Sequence, residues 1–232
     1  MNEIRLLHGT DHIIERPDIL IGNPHNDYGK GFYCTRLDEM AREWACKKNT
    51  DGFVNIYNFD MDGLKVLNLL DGKHSVLNWI ALLLKYRTFK LDSEIAIDAR
   101  NYMIEHYAAD LAAYDVVIGY RADDSYFQYA QSFVSNALPL RSLNRALKLG
   151  SLGEQIAVIS ANGFARLNFI DAYGVDKTVY FPKFLDRDEK AREVYRKEIR
   201  DNKSYRDDLF VMDILREEMS GDDPRIQRII SE

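Results

Sequence analysis

Asp27-Tyr28-Gly29-Lys30-Gly31-Phe32-Tyr33-Cys34-Thr35 is a glycine-rich turn that enters an aromatic, β-prone stretch. Before it, residues 16–31 hold Pro17, Gly22, Pro24, Asn26, Gly29 and Gly31, punctuation that reads as loop. After it, Leu37, Met40, Ala41 and Trp44 fall at helical spacing, which predicts a helix from Leu37 to Lys47 with Thr35 as its N-cap. Upstream, the apolar run Ile4 to Leu7 predicts a short strand leading into His8-Gly9-Thr10. A lone His-Gly is usually a turn and a lone Gly-x-Gly is a common loop. Their order and spacing carry the information.

Working outward, Phe53 to Phe59 alternates like a strand, and Leu64 to Leu69 is a second one after the Asp62-Gly63 turn. Val76 to Arg87 and Ile95 to Tyr107 predict helices, Val116 to Ile118 a buried strand, and Tyr126 to Ser135 and Leu140 to Leu147 two helices interrupted by Pro139. Ile156 to Ser160 reads as a strand, Gly163 as a turn, and Leu167 to Ile170 as a further apolar segment. From Asp186 to Ser220 the chain is dense in both charge signs, with Val194, Ile199, Leu209, Met212 and Leu215 as a sparse helical stripe. That stretch reads as a helical tail packed on the domain or as an interaction arm. Short strands with segregated helices indicate an α+β chain rather than a βαβ series.

The 232 residues suit one domain with a helical appendage, and a hydrophobic share of 46% permits an ordinary core. A net charge of −6 argues against a general phosphate-backbone binder. The two cysteines, Cys34 and Cys46, lack metal spacing and support a disulfide only weakly, so a reducing, cytoplasmic setting is expected. The first residues lack the apolar stretch of a signal peptide, and the run Trp79 to Leu84 is too short to span a bilayer, so no membrane role is expected. His12, His74 and His106 show no metal-ligand spacing, and no P-loop or Gly-x-Gly-x-x-Gly fingerprint occurs.

Taken together, Leu6-Leu7-His8-Gly9-Thr10 and Tyr28 to Thr35 resemble the ADP-ribosyltransferase superfamily, in its His–Tyr–Glu branch of diphtheria-toxin and poly(ADP-ribose)-polymerase type. There a strand ends in His-Gly and a later Phe-Gly-Lys-Gly-Ile-Tyr-Phe-Ala opens the second motif. More narrowly, the chain is similar to a bacterial family known as domain of unknown function 3990. The similarity takes in Pro17-Asp18, Gly22, Gly29 to Tyr33, Thr35, Asn55-Ile56-Tyr57, Leu64 to Leu67, Val117-Ile118-Gly119, Ala122-Asp123-Asp124 and Gln155-Ile156 to Phe169. The resemblance, which runs from Arg5 to about Val175 and does not cover the charged tail, implies a split β-sandwich with surrounding helices as a catalytic domain over residues 1–182; residues 183–232 read, from composition, as a charged helical extension.

It also implies NAD⁺ as substrate, with no metal. Nicotinamide is a flat cation, so by resemblance the Tyr33 ring would stack on it, while Gly9 would meet its carboxamide through backbone N–H and C=O. His8 would hold the adenosine ribose, and Thr10, Tyr28, Gly31, Phe32 and Asp123 would line the dinucleotide. The plainer reading of Tyr33 is a core aromatic, and that of Asp123 or Asp124 a helix N-cap. Departure of nicotinamide leaves an oxocarbenium-like ribose, which calls for negative charge or a strong acceptor. The superfamily places a glutamate there. Here Gly153-Glu154-Gln155-Ile156 stands at that position, with Gln155 in the glutamate's register and Glu154 beside it. Adjacent strand residues face opposite ways, so only one of the two can face the sugar. Apolar alternation does not decide which, because Ile156 and Val158 oppose Ala157 and Ile159.

Arg16, His25 and Asn26 could line the pyrophosphate or ribose, although an ordinary loop role suits each of them better, and Asn23 stands where the narrower family often has a basic residue. The expected activity is mono-ADP-ribosyl transfer to a protein or nucleic-acid acceptor. NAD⁺ hydrolysis and a catalytically weak NAD⁺-binding module are the alternatives. A toxin-like role with a small neutralising partner protein is a further expectation from the resemblance.

Overall fold

The computed structural model describes residues 3–121, 124–149, 153–200 and 205–232. Its strands are β1 (Glu3–Thr10), β2 (Phe32–Cys34), β3 (Gly52–Asp60), β4 (Val66–Asn68), β5 (Val116–Tyr120), β6 (Glu154–Val158) and β7 (Leu167–Val175). The helices are α1 (Asp38–Ala45), α2 (Val76–Tyr86), α3 (Glu94–Tyr107), α4 (Asp124–Val134), α5 (Leu140–Leu149), α6 (Ala161–Phe164), α7 (Lys177–Arg200), α8 (Val211–Arg216) and α9 (Pro224–Ser231). The chain is therefore mixed α+β, with two sheets. None of the described helices is long and apolar enough to cross a membrane.

Two compact units divide the chain. The first takes residues 1–70, 110–121 and 153–187, and the second takes 71–109, 122–152 and 188–232. The expected boundary at 182/183 falls inside α7, which passes from one unit to the other after Arg187.

All the strands among the described residues belong to the first unit. One sheet has the order β1-β3-β7, all antiparallel, and the other the order β2-β6-β5-β4, with β4 and β5 parallel. Leu6, Tyr57 and Phe59 of the first sheet share a core with Phe32, Cys34, Val116, Ile156 and Val158 of the second. Burying each such side chain fully stabilises the fold by roughly 1.5–3 kcal/mol. On its outer side the first sheet packs Leu7, Val54 and Ile56 against Ala41 and Ala45 of α1. Covered on both faces, β3 is the expected strand and is buried at Val54, Asn55, Ile56 and Tyr57 in succession.

The sheets meet at one antiparallel bridge, where Leu7 and Thr35 exchange N–H to C=O bonds of 2.8 and 2.9 Å. Thr35 is therefore a bridge residue just beyond β2 and not the cap of α1. Leu37 stands at that cap, and the Thr35 hydroxyl accepts the Leu37 N–H at 3.1 Å. Both cysteines are buried and free, Cys34 between the sheets and Cys46 with its Sγ 3.6 Å from the Val175 carbonyl. Gly163 lies within α6 and does not merely open a turn, since its N–H is taken by the Ser160 cap at 3.0 Å.

The first part of α7 binds along α1. Lys183 pairs with Glu39 at 2.8 Å, Arg187 with Glu43 at 2.6 Å, and the Arg42 guanidinium lies 4.8 Å from the Tyr173 ring centre and 5.4 Å from that of Tyr180. Up to Arg187 the charged extension is thus part of the first unit.

The second unit is helical. α2 is apolar almost all round and buried from Val76 to Leu84 except at Asn78, as suits a central helix. Its start is fixed by Asn78, which accepts the Ser75 N–H at 2.7 Å and donates to the Tyr107 carbonyl at 3.0 Å. In α8 the buried residues are Val211 and Ile214, not the expected Met212 and Leu215. Val194 and Ile199 of the expected stripe lie on α7, and nothing of their side chains is described.

Candidate functional site

Directly paired strand residues share a face, and alternate residues along a strand return to it. The Leu7–Thr35 bridge and the pairs Tyr33–Ala157, Val117–Ala157 and Gly119–Gln155 therefore place Gly9, Tyr33, Gln155 and Gly119 on one continuous face. Phe32, Cys34, Ile156 and Val158 occupy the opposite face, toward the core. Glu154 alternates onto that side as well. Its carboxylate is gripped at both oxygens by Arg36, at 2.6 Å from Nε and 2.5 Å from Nη2.

Gly9 stands two residues beyond Leu7, and Tyr33 two before Thr35, so the pair lie on the same side of the bridge. Leu7 turns its backbone N–H and C=O toward β2, and strand alternation turns those of Gly9 the same way, away from β3. The missing side chain at Gly9 serves packing: a Cβ there would lie 1.9 Å from the Ala41 carbonyl oxygen of α1. Glycine is demanded by the helix on one side, while its amide is presented to the other.

Tyr33 is held at its tip. Its hydroxyl donates to the Gly29 carbonyl at 2.6 Å and accepts the Tyr28 N–H at 3.1 Å, closing the 28–33 loop on itself. Gly29 adopts φ 74°, a left-handed conformation suited to glycine, in the turn closed by its N–H to Asn26. The Tyr28 and Tyr33 rings lie nearly parallel, 10° apart in plane and 6.4 Å between centres. Tyr28 is buried, with its hydroxyl donating to the Tyr120 carbonyl at 2.7 Å. Gly31 sits against β6, where a Cβ would meet the Val158 carbonyl at 2.8 Å.

His8, partly buried, reaches Tyr33 from the core side: its Nδ1 is 2.7 Å from the Tyr33 carbonyl. A carbonyl only accepts, so Nδ1 carries the proton and Nε2 is left as an acceptor. The His8 ring stacks on Phe32, 4.3 Å between centres, and burial pulls its pKa below 6.5. Phe32, expected at the ligand, touches this cluster through His8 and otherwise belongs to the core. Thr10 closes β1 opposite Phe53.

Asp123 lies outside the described residues, and Asp124 is the first residue of α4. In the 16–31 loop, Asn23 Oδ1 accepts the His25 N–H at 2.9 Å and Asp18 Oδ1 the Leu20 N–H at 2.8 Å. Local turn-making thus accounts for Asn23.

Several residues were given no site role by the sequence. Asn55, fully buried opposite His8, accepts the Ile14 N–H at 2.8 Å and donates to the His12 carbonyl at 3.1 Å, pinning the segment after His-Gly. The Tyr57 hydroxyl donates to the Ile14 carbonyl. Asp27, only 5% exposed, accepts from Gln155 Nε2 at 3.3 Å. Polar residues inside an otherwise apolar strand signal Asn55. Nothing local signals the Asp27–Gln155 pair, whose members are 128 positions apart. Arg121, next to β5, lays its guanidinium 5.0 Å from the Trp44 ring centre. Among the described residues, no group of three or more His, Cys, Asp or Glu is placed to hold a metal ion.

These elements define a two-sheet α+β protein with an aromatic and amide-lined face at the mouth of the bridged strands. Residues 4–169 match the model of a family described as a protein of unknown function (DUF3990), and the chain belongs to that family. No curated protein and no solved structure matches the chain.

Proposed function

We propose that this protein binds NAD⁺, breaks its nicotinamide–ribose bond and passes ADP-ribose to a macromolecular acceptor, and that its paired sheets are the split β-sandwich of ADP-ribosyltransferases. The observation that carries the reading is the shared face of Gly9, Tyr33 and Gln155 beside the Leu7–Thr35 bridge.

Each group suits a part of the dinucleotide. A carboxamide needs an acceptor and a donor in one plane, and the Gly9 amide offers both. The Tyr33 ring, fixed at its hydroxyl, suits stacking on the flat pyridinium. His8 Nε2, an acceptor, suits a ribose hydroxyl. In the reaction the C1′–N bond breaks with its electron pair going to the pyridinium nitrogen, so nicotinamide leaves neutral and positive charge develops on the ribose. The acceptor oxygen or nitrogen then bonds to C1′ and releases its proton to water. Gln155, on the same strand face as Tyr33, suits holding a hydroxyl of that ribose.

Gln155 cannot ionise, which favours a second reading, a catalytically weak NAD⁺-binding module. One experiment separates the readings: incubation of the full chain with NAD⁺ labelled in its adenylate portion, together with cell lysate. Label on macromolecules supports transfer, free labelled ADP-ribose supports hydrolysis, and intact NAD⁺ with measurable binding supports the module. Intact NAD⁺ without binding removes the proposal.

A further inference from the structure

Asn55 is fully buried in β3, where an amide costs free energy unless its hydrogen bonds are made. They are made to one short piece of chain and to His8. Oδ1 accepts the Ile14 N–H at 2.8 Å, and Nδ2 donates to the His12 carbonyl at 3.1 Å and to the His8 carbonyl at 3.4 Å. Taking the C=O of one residue and the N–H of the residue two further on is what a neighbouring parallel strand does. The Asn55 amide thus stands in for a strand partner of residues 12–14. Between its two bonds Ile13 turns outward, 48% exposed, while Ile14 packs on the core.

Tyr57 completes the grip. It stands two residues along β3 from Asn55, on the same face, and its hydroxyl donates to the Ile14 carbonyl. The register partner of Asn55 is His8, and directly paired residues share a face, so the strapped segment lies beside the His8 side chain. His12 is close enough to disfavour positive charge on the His8 ring. Phe32 stacks on that ring and the Tyr33 carbonyl accepts from its Nδ1. None of these contacts uses Nε2, the atom that suits a ribose hydroxyl.

We propose that Asn55 is a positioning residue for the adenosine end of NAD⁺: by tying residues 12–14 beside His8, it holds the imidazole so that Nε2 meets the ribose hydroxyl. The inference rests on the NAD⁺ reading and deepens it. Asn55 touches no part of the ligand and acts through His8 alone.

The test is a cycle of His8→Ala, Asn55→Ala and both together in the full chain. Melting temperature and the dissociation constants of NAD⁺, ADP-ribose and nicotinamide mononucleotide are the readouts. ADP-ribose carries the adenosine half of the dinucleotide, and nicotinamide mononucleotide lacks it. Asn55→Ala lowers the melting temperature, because the Ile14 N–H and the His12 carbonyl lose their partner. It weakens NAD⁺ and ADP-ribose about tenfold and nicotinamide mononucleotide less than about twofold. In the His8→Ala background it still lowers the melting temperature but costs less than about threefold in NAD⁺ affinity. A merely structural asparagine gives another pattern. Wild-type NAD⁺ affinity in folded Asn55→Ala, equal weakening of all three ligands, or the full loss again without His8 overturns the positioning role while NAD⁺ binding by the wild type stands. If Asn55→Ala does not fold, Tyr57→Phe decides, since it keeps the ring against Phe32 and frees only the Ile14 carbonyl. It weakens NAD⁺ and ADP-ribose about threefold, and unchanged affinity for both overturns the role. A wild-type chain that does not bind NAD⁺ overturns the NAD⁺ reading and the role of Asn55 with it.

Discussion

The Tyr28 hydroxyl occupies the space that a side chain at Gly119 would need: a Cβ at 119 would lie 2.2 Å from that oxygen and 3.0 Å from Cζ of the ring. Tyr28 in turn supplies the N–H that the Tyr33 hydroxyl accepts. A glycine in β5 thus controls the seat of an aromatic 91 positions earlier, and through it the loop that leads to Tyr33.

Gly119→Ala is expected to displace Tyr28 and break its bond to the Tyr120 carbonyl, destabilising the fold by about 1–3 kcal/mol and weakening NAD⁺ binding. Urea unfolding and a binding titration check both effects. An unchanged midpoint with unchanged affinity would show that the loop does not depend on this contact.

Tyr33→Phe keeps the ring and removes the hydroxyl that joins Gly29 and Tyr28. The expected cost is about 1–2 kcal/mol of stability, with KM for NAD⁺ raised more than kcat is lowered, because the stacking face survives in a looser loop. Tyr33→Ala removes the face too, and NAD⁺ cleavage should be lost. Steady-state kinetics of the two variants decide; equal turnover in both would place the ligand elsewhere.

Glu154 and Gln155 separate cleanly. Glu154→Gln breaks the paired bond to Arg36 on the far face, and turnover should change by less than about threefold, since an exposed ion pair is worth at most about 1 kcal/mol. Gln155→Ala should lower kcat at least tenfold, the loss of about 1.5 kcal/mol of transition-state hydrogen bonding. The reverse order of effects would mean that the register of β6 seats the wrong residue at the ribose.

Burial lowers the pKa of His8, so the folded protein favours the neutral ring and the unfolded chain takes up the proton first as pH falls. Stability from this group is complete above 6.5 and is lost as pH drops below that value toward the lowered folded pKa. Denaturant unfolding at pH 7.5 and 5.5 should show an acid loss that is smaller in His8→Gln. An identical loss in both proteins would assign the effect to other groups.

What the sequence determined alone is mostly local. The strands around Ile4 to Leu7, Phe32 to Thr35 and Val116 to Ile118 and most helices follow from periodicity, and the 16–31 loop follows from its prolines and glycines, because backbone sterics act within a few residues. His8, Gly9 and Tyr33 could be singled out for the same reason: their motif is contiguous. Which of Glu154 and Gln155 shares the Tyr33 face was decided only when β6 took its register between β2 and β5, since both faces of that strand are apolar. Thr35 left the cap of α1 because Leu7 claimed its backbone, and Gly9 proved necessary to α1 as well as open toward β2. Asp27 meets Gln155 only after β2, β6 and β5 have paired and Tyr28 has seated over Gly119, and no period or spacing along a chain encodes a hydrogen bond of that span.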